Sequence, residues 1–303
     1  MPAAPTQTAP LPKPLKGMRI LSLALNLPGP AALMRCRQMG ATCIKLEPPA
    51  HPASPAGATG DPMSFYCPQA YASMHQGVRT LSADLKTDKG RLVLQKELEK
   101  ADLLLTSFRP SALTKLGLDW ATLRKSYAQL SMVAIVGAPG ARAEEPGHDL
   151  TYLAENGLVT GLDLPASLYA DMGGSLAASE AILQARLLAQ QKGRGVFLEV
   201  ALSDAAAYLG LPRAWGLTTP KAMVGGAHAG YRVYACKNGR VAVAALEPHF
   251  AASLARAAGL PADADMLSAR TQSALASFFA DKTRAQLDKL SVAHDIPLHT
   301  LPR

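Results

Sequence analysis

The sequence lacks the features that metal and dithiol sites require. Its four cysteines are Cys36, Cys43, Cys67 and Cys236, and no two of them form a CxxC pair. The seven histidines also show no metal-ligand spacing, so we expect neither a zinc site nor a thioredoxin-type dithiol. Free thiols are typical of a reducing compartment.

Long apolar runs and basic clusters are also absent. No apolar run reaches the length of a membrane span, and the Pro/Ala-rich start lacks the apolar segment of a signal peptide. We therefore interpret residues 1–16 as a disordered leader and expect a cytoplasmic protein with no membrane partner. The formal net charge is +8, but Lys and Arg are scattered and not interleaved with aromatics. This pattern favours a polyanionic small ligand over nucleic acid.

The composition that remains is that of a folded chain. Of 303 residues, 49% are hydrophobic and 18% charged, which is enough for a sizeable core. Residues 18–49 predict a strand, a short helix and a strand, and three further α–β steps follow. We expect a Rossmann-like, doubly wound α/β fold with a parallel sheet. The first loop contains PGP and no GxGxxG, so NAD binding is disfavoured.

The composition also predicts how the chain is divided. Residues 50–76 are rich in Ala, Pro, Ser and Gly, and we predict a long surface loop over a binding site there. Asn238-Gly239 between two alternating runs predicts a β-hairpin, and a helical pattern follows it. We predict three segments: a large domain at 17–215, a linker at 216–230 and a smaller α+β domain at 231–303.

Three basic residues are candidates for holding phosphate groups. Arg109 precedes a proline at the carboxyl end of a predicted strand, where open α/β sheets bind ligands. Its guanidinium could hold a phosphate through two hydrogen bonds. Lys45 ends the second predicted strand and is a similar candidate. Arg109 and Arg79 could equally be surface charges.

His148 and Glu247 are candidates for proton transfer. His148 lies in a Pro-Gly-His-Asp turn, where it is accessible and where Asp149 could orient its imidazole. A histidine in such a turn can also simply bond its neighbours. Glu247 ends the second strand of the predicted hairpin, where a solvated glutamate is an ordinary finding.

Asp171 lies where a long apolar helix is predicted to begin. Its ordinary role there is that of an N-cap, which accepts backbone N–H groups. Helix N-termini also gather partial positive charge, and Gly173 and Gly174 would let a ligand approach the backbone. The amides of these glycines could then stabilise an enolate or another oxyanion.

A set of motifs between about residues 17 and 259 resembles the family III CoA-transferase superfamily and, within it, the α-methylacyl-CoA racemases. The motifs include GMRILSLALNLPGP, MGATCIKLEPP, ADLLLTSFRPSALTKLGLDW, GHDLTY, DMGGS and GRGVFLEVAL. The racemases have GHD where transferases have GYD, and this chain has His148 at that position. The family's NRGKRS-like segment reads HQGVRT here, so Gln76 and Val78 replace Arg and Lys and only Arg79 remains. The chain is also shorter than a typical member at its C-terminus.

The resemblance implies a site and a reaction. His148, assisted by Glu247, and Asp171 would be bases on opposite faces of the α-carbon of a 2-methylacyl-CoA thioester. We place Asp149 and Tyr152 of GHDLTY among the substrate contacts. The resemblance also implies an interlocked homodimer and no metal or redox cofactor, because coenzyme A is part of the substrate.

Two other functions are compatible with the same motifs. In a CoA-transferase, Asp171 would attack the thioester and form a mixed anhydride. A catalytically degenerate paralogue would bind CoA esters or a partner without turning them over.

Overall fold

A computed structural model of the chain describes residues 12–55 and 57–303. The chain divides into two compact units, and the boundary lies between Gly210 and Leu211. None of the helices in the described residues combines the length and the apolar composition that a bilayer span requires.

A parallel sheet organises the first unit. Its six strands are β1 (Arg19–Ser22), β2 (Thr42–Glu47), β3 (Arg79–Ser82), β4 (Leu103–Thr106), β5 (Ser131–Val136) and β6 (Phe197–Ala201). They pair in the order β3-β2-β1-β4-β5-β6, and every pairing is parallel. The order changes direction between β1 and β4, and open α/β sheets bind ligands at such a point, outside the carboxyl ends of the strands. The predicted doubly wound sheet is confirmed.

Within residues 12–55 and 57–214, nine α-helices accompany this sheet. They are α1 (Pro28–Gln38), α2 (Met63–Tyr66), α3 (Pro68–Met74), α4 (Asp88–Leu98), α5 (Pro110–Leu116), α6 (Trp120–Ser126), α7 (Asp149–Glu155), α8 (Tyr169–Lys192) and α9 (Leu202–Ala214). Ile20 and Leu21 of β1 point to opposite faces and enter different cores. One core holds α1, α7, α8 and α9, and the other holds α4, α5 and α6. Every residue of β4 and β5 is buried, as expected for strands covered on both faces.

The second unit is a small α+β structure, as predicted. Its strands are β7 (Tyr231–Cys236), β8 (Gly239–Ala244) and β9 (Leu298–Leu301), and its helices are α10 (Pro248–Ala257), α11 (Ala269–Ala280) and α12 (Arg284–His294). β7 and β8 form the predicted hairpin, but Cys236 pairs with Gly239, so the turn residues are Lys237 and Asn238. Asn238 Oδ1 accepts the backbone N–H of Arg284 at 2.8 Å, which ties the turn to the start of α12. Residues 216–230 lie within this unit.

Two expectations about irregular segments need correction. Residues 50–76 are not simply a surface loop, because they form α2 and α3 and bury Asp61, Met63 and His75. Most of the predicted leader, residues 1–11, lies outside the described residues. Residues 12–16 lead into a turn in which the Leu15 side chain is fully buried in the core, so this part belongs to the folded unit.

Candidate active site

A cavity of about 180 Å³ lies at the carboxyl ends of β1, β4 and β5, where the strand order changes direction. Its walls come from the residues that follow these strands, from the residues before α7 and from the first turn of α8. Four predicted site residues line it together: Arg109, His148, Tyr152 and Asp171. The fold therefore brings together residues that are up to 62 positions apart in the sequence.

Asp171 lies in the first turn of α8. The helix begins at Tyr169, so Asp171 is its third residue and not the N-cap that the sequence predicted. Burial raises the pKa of the Asp171 carboxyl to about 6, the negative charge of Asp149 adds to this effect and His148 opposes it. A carboxyl group with this pKa can both give and accept a proton near neutral pH.

Asp149 supports the start of α8. Its side chain is buried, and its Oδ1 atom accepts the backbone N–H of Asp171 at 2.9 Å. This N–H is one of those that have no partner within the helix, so Asp149 caps α8 from a distant part of the chain. We expected Asp149 to orient the imidazole of His148. The hydrogen bond found for its carboxylate goes to α8 instead.

Gly173 and Gly174 are inside α8, which corrects their predicted role. In an α-helix each N–H bonds to the carbonyl four residues earlier, so these two amides are used within the helix and do not face a ligand. The glycines serve close packing against α9. A Cβ atom at Gly174 would lie 2.2 Å from Cδ2 of Leu202.

His148 is the N-cap residue of α7, and both its backbone N–H and its carbonyl bond to the Thr151 side chain. Its N–H donates to Thr151 Oγ1 at 3.0 Å, and the Thr151 hydroxyl donates to the His148 carbonyl at 2.7 Å. The histidine is exposed and lines the cavity, so its imidazole is accessible to a ligand.

Tyr152 lies one turn after His148 and is buried in the cavity wall. Burial raises the pKa of its hydroxyl, and the nearby Asp171 carboxylate adds to the rise. Two glycines make room for this ring. Cβ atoms at Gly137 and Gly147 would lie 2.2 and 2.5 Å from the Tyr152 hydroxyl oxygen. The sequence analysis did not identify either glycine. The glycine of the GHD motif, Gly147, was the available sign that a side chain packs closely against this loop.

The three predicted phosphate ligands have different environments. Arg109 is the exposed N-cap residue of α5 and lines the cavity. Arg79, on the outer strand β3, pairs with Glu97 at 2.6 Å. Glu97 also accepts from Arg19 at 2.8 Å, so part of the charge of Arg79 is already compensated. Of these residues, Arg109 is the one available to a ligand in the cavity.

Lys45 is not available as a phosphate ligand. Its side chain is fully buried, and its ammonium contacts Glu47 Oε1 at 3.0 Å, His75 Nε2 at 2.9 Å and the carboxylate of Asp61. The ligand atoms of Glu47, Asp61 and His75 all lie within 4.8 Å of one another, which is a geometry that could hold a metal ion. The ammonium already neutralises these acceptors, so we assign the cluster to Lys45.

Glu247 belongs to the second unit. It is the exposed N-cap residue of α10, directly before Pro248. Its part in proton transfer stays a prediction.

Asn26 is a cavity residue that sequence reasoning did not identify. It follows β1, lines the cavity and has a left-handed backbone with φ 63°. Asparagine tolerates this conformation better than most residues, so an Asn in the loop after the first strand was the available signal.

Comparisons with known proteins show the family to which this chain belongs. The sequence profile described as CoA-transferase family III matches residues 15–302. The chain is 30% identical to the α-methylacyl-CoA racemase of Mus musculus, over 90% of this chain and 73% of that protein. It is 29% identical to the probable fatty acyl-CoA transferase Rv3272 of Mycobacterium tuberculosis, over 64% of this chain and 52% of that protein.

A crystal structure of the M. tuberculosis Rv3272 protein has the same fold. It superposes with a TM-score of 0.78 at 23% identity, covering 95% of this chain and 84% of the other. The profile match extends over nearly the whole sequence. The chain belongs to CoA-transferase family III.

Proposed function

We propose that the protein is an acyl-CoA racemase that inverts the α-carbon of 2-methylacyl-CoA thioesters. The observation that carries this proposal is the pairing, in one cavity, of an accessible histidine with a carboxyl group whose pKa is raised to about 6. The Asp171 carboxyl can both give and accept a proton near neutral pH, and His148 offers the second base that a racemase working in both directions requires. The likeness to the mouse racemase supports this choice.

In the proposed reaction, His148 and Asp171 act on opposite faces of the α-carbon. One base removes the α-proton, and the C–H electron pair moves into the thioester to form an enolate. The other base delivers a proton to the opposite face, which restores the thioester with inverted configuration. After one turnover the base that removed the α-proton is protonated, and the base that delivered a proton is unprotonated. The enzyme is then ready to act on the opposite enantiomer. The positive end of the α8 dipole lies near this site and favours the negative charge of the enolate.

Arg109 is the residue that we assign to the coenzyme A portion of the substrate. It is exposed at the wall of the cavity, and a guanidinium can hold a phosphate or carbonyl oxygen through two hydrogen bonds. We also propose the interlocked homodimer, with Glu247 of the second unit assisting His148. Sedimentation of the purified protein tests the dimer independently of activity.

The test uses each enantiomer of a 2-methylacyl-CoA separately in D2O. The wild-type protein is expected to incorporate deuterium at C2 of both enantiomers and to interconvert them. Asp171→Asn and His148→Ala should each abolish interconversion, but each should keep exchange with the enantiomer whose proton faces the remaining base. The rate of interconversion, and the rate of exchange of the enantiomer that faces the removed base, should each fall by roughly 100-fold or more, which is the usual size of a general-base contribution.

Two controls accompany this test. Asp119→Asn and His294→Ala make the same chemical changes at two helix ends, where the half-buried Asp119 precedes α6 and the exposed His294 ends α12. Neither residue lines the cavity, and both variants should leave exchange unchanged. If the folded wild-type protein shows no exchange with either enantiomer, the racemase proposal is wrong.

A CoA-transferase is the second candidate, and the likeness to the Rv3272 transferase favours it. In this reaction an Asp171 oxygen attacks the thioester carbonyl, the C–S bond breaks and CoA leaves as the thiolate. The product is an acyl–aspartyl anhydride. Inactivation by hydroxylamine only in the presence of a donor acyl-CoA, and loss of this sensitivity in Asp171→Asn, would select the transferase. Binding of CoA esters with neither exchange nor transfer would indicate a degenerate paralogue.

A further inference from the structure

A cluster of buried polar side chains lies beneath the loop that follows β1. Lys45 is fully buried at its centre, and Glu47 and Asp61 are also fully buried around it. Glu47 Oε1 accepts from the Tyr71 hydroxyl at 2.8 Å, and His75 Nδ1 contacts the Tyr71 carbonyl at 2.6 Å. Burial and the Lys45 charge lower the pKa of His75, so its Nε2 atom can accept from the ammonium. A substrate cannot reach this cluster, so any part that it takes in the reaction is indirect.

Asp61 connects the cluster to the cavity. One of its carboxylate oxygens pairs with the Lys45 ammonium. The other accepts the backbone N–H of Asn26 at 3.1 Å and that of Met63 at 2.9 Å. The carboxylate therefore joins the loop after β1 to the start of α2, across 35 positions of sequence.

The loop that Asp61 holds forms part of the cavity wall. Asn26 lines the cavity, and its φ of 63° is a left-handed conformation that costs free energy even in asparagine, which tolerates it better than most residues, so contacts that hold it there matter. Its side-chain oxygen accepts from the Tyr66 hydroxyl at 3.2 Å. Burial raises the pKa of Tyr66, and the charges of Asp61 and Asp171 add to this rise, which places Tyr66 within the electrostatic reach of Asp171.

We propose that Asp61, whose charge is neutralised by the buried Lys45, is a positioning residue that fixes Asn26 in the left-handed conformation. The Asn26 side chain, bonded to the Tyr66 hydroxyl, then shapes the cavity around the reacting thioester. This inference rests on the proposed function for its kinetic test. The structural part of the inference, that the Asp61 carboxylate holds the Asn26 amide, does not depend on the proposed function.

The physical reason is that the Asp61 carboxylate binds the Lys45 ammonium with one oxygen and two backbone amides with the other. The ammonium holds the carboxylate in one orientation, because a buried charge is stable only beside its partner. The same orientation aims the second oxygen at two backbone amides of different segments. A change at Asp61 would therefore shift the wall of the cavity, and a displacement of about 1 Å at a reacting centre can lower a rate roughly 100-fold.

The kinetic test compares Asp61→Asn with Asp102→Asn. Asp102 Oδ2 likewise accepts a backbone N–H, that of Arg19 at 2.6 Å, but at the amino end of β1 and away from the cavity. We expect Asp61→Asn to lower kcat for α-proton exchange roughly 10- to 100-fold with KM changed less than about threefold. Asp102→Asn should leave both constants within about twofold. Equal kinetic losses in the two variants, matching their losses of folded protein, would show a merely structural role.

A second variant covers the case in which Asp61→Asn does not fold. Asn26→Gly adopts a φ of 63° without strain and keeps the amide that Asp61 holds, but it has no side chain. We expect its kcat to fall roughly 10-fold at nearly unchanged KM, again as for a misplaced reacting centre. Wild-type kinetics in Asn26→Gly would overturn the inference.

Amide hydrogen exchange separates failure of the inference from failure of the proposed function. The Asn26 amide should be protected in the wild-type protein and should exchange at least about 10-fold faster in Asp61→Asn, since the free energy of a charged hydrogen bond is lost. The Arg19 amide should stay protected in the same variant. This result is expected whether or not the protein turns over an acyl-CoA. If the Asn26 amide is equally protected in the wild-type protein and in Asp61→Asn, the inference that Asp61 holds this amide is wrong, even if the enzyme is active.

Discussion

Asp171→Asn should abolish interconversion of the two enantiomers and at the same time stabilise the protein against unfolding. Burial raises the pKa of the Asp171 carboxyl from 3.8 to about 6, so its ionised form is disfavoured in the folded protein. Between about pH 4 and pH 6 the folded protein therefore holds a proton that the unfolded chain has released. Stability falls as the pH rises across this window and stays lower above it. An asparagine never ionises, so the variant avoids this loss.

The size of the effect follows from the same values. A rise from 3.8 to about 6, at about 1.4 kcal/mol for each pH unit, corresponds to about 3 kcal/mol. Asp171 is half-buried, so solvent screens part of this cost, and we expect a gain of about 1–3 kcal/mol above pH 7. Below pH 4 both side chains are neutral and similar in shape, and the difference in stability should approach zero.

Urea unfolding of both proteins at pH 4 and pH 8 measures this gain. The urea midpoint of the variant should exceed that of the wild type by roughly 0.5–1 M at pH 8 and coincide with it at pH 4. Asp119→Asn is the control, because hydrogen bonds from Thr122 lower the pKa of Asp119 and its ionised form stabilises α6. It should give no gain at pH 8. A variant that is equally or less stable than the wild type at both pH values would refute the reasoning about Asp171.

Three further predictions concern other parts of the first unit. Gly137→Ala places a Cβ atom 2.2 Å from the Tyr152 hydroxyl oxygen, and forcing the ring away should cost about 1–3 kcal/mol in urea unfolding; an unchanged midpoint would show that the ring moves freely. Leu15→Ala should destabilise the protein by about 2–5 kcal/mol, since Leu15 is fully buried; an exposed leader residue would show no effect. Arg109→Ala should raise KM for an acyl-CoA roughly 10-fold through loss of a charged hydrogen bond, and Arg79→Ala should raise it less; the reverse order would place the coenzyme beside β3.

Several features of the fold could be predicted because they depend on local patterns. The apolar runs that became β1, β4 and β5 alternate with helical patterns, and such alternation favours a parallel sheet. Asp119, directly before a helical pattern, is a residue type that favours the N-cap, and its carboxylate accepts the Thr122 amide at 3.0 Å. The start of α5 at Pro110 was missed, although proline at the first helical position is common.

The site could be predicted only in part. His148 and Asp171 were identified from motifs, and the fold places both at one cavity. The size of the rise in the pKa of Asp171 could not be predicted, because it depends on burial and on the charge of Asp149, which is 22 residues away in sequence. The position of Asp171 within α8 was also missed, since a helix can begin before its most conspicuous polar residue.

The sequence alone was sufficient for the fold class, the family motifs and the two candidate bases, because these depend on residue order and on local periodicity. Tertiary structure decided which charges a substrate could reach. Lys45 and Arg109 were both predicted at the carboxyl ends of strands, yet Lys45 lies within β2, where a buried cluster neutralises it, and Arg109 lies at the cavity wall. The difference arises because Glu47, Asp61 and His75 converge on Lys45 only when distant segments fold together, and a buried ammonium is stable only where such partners meet it.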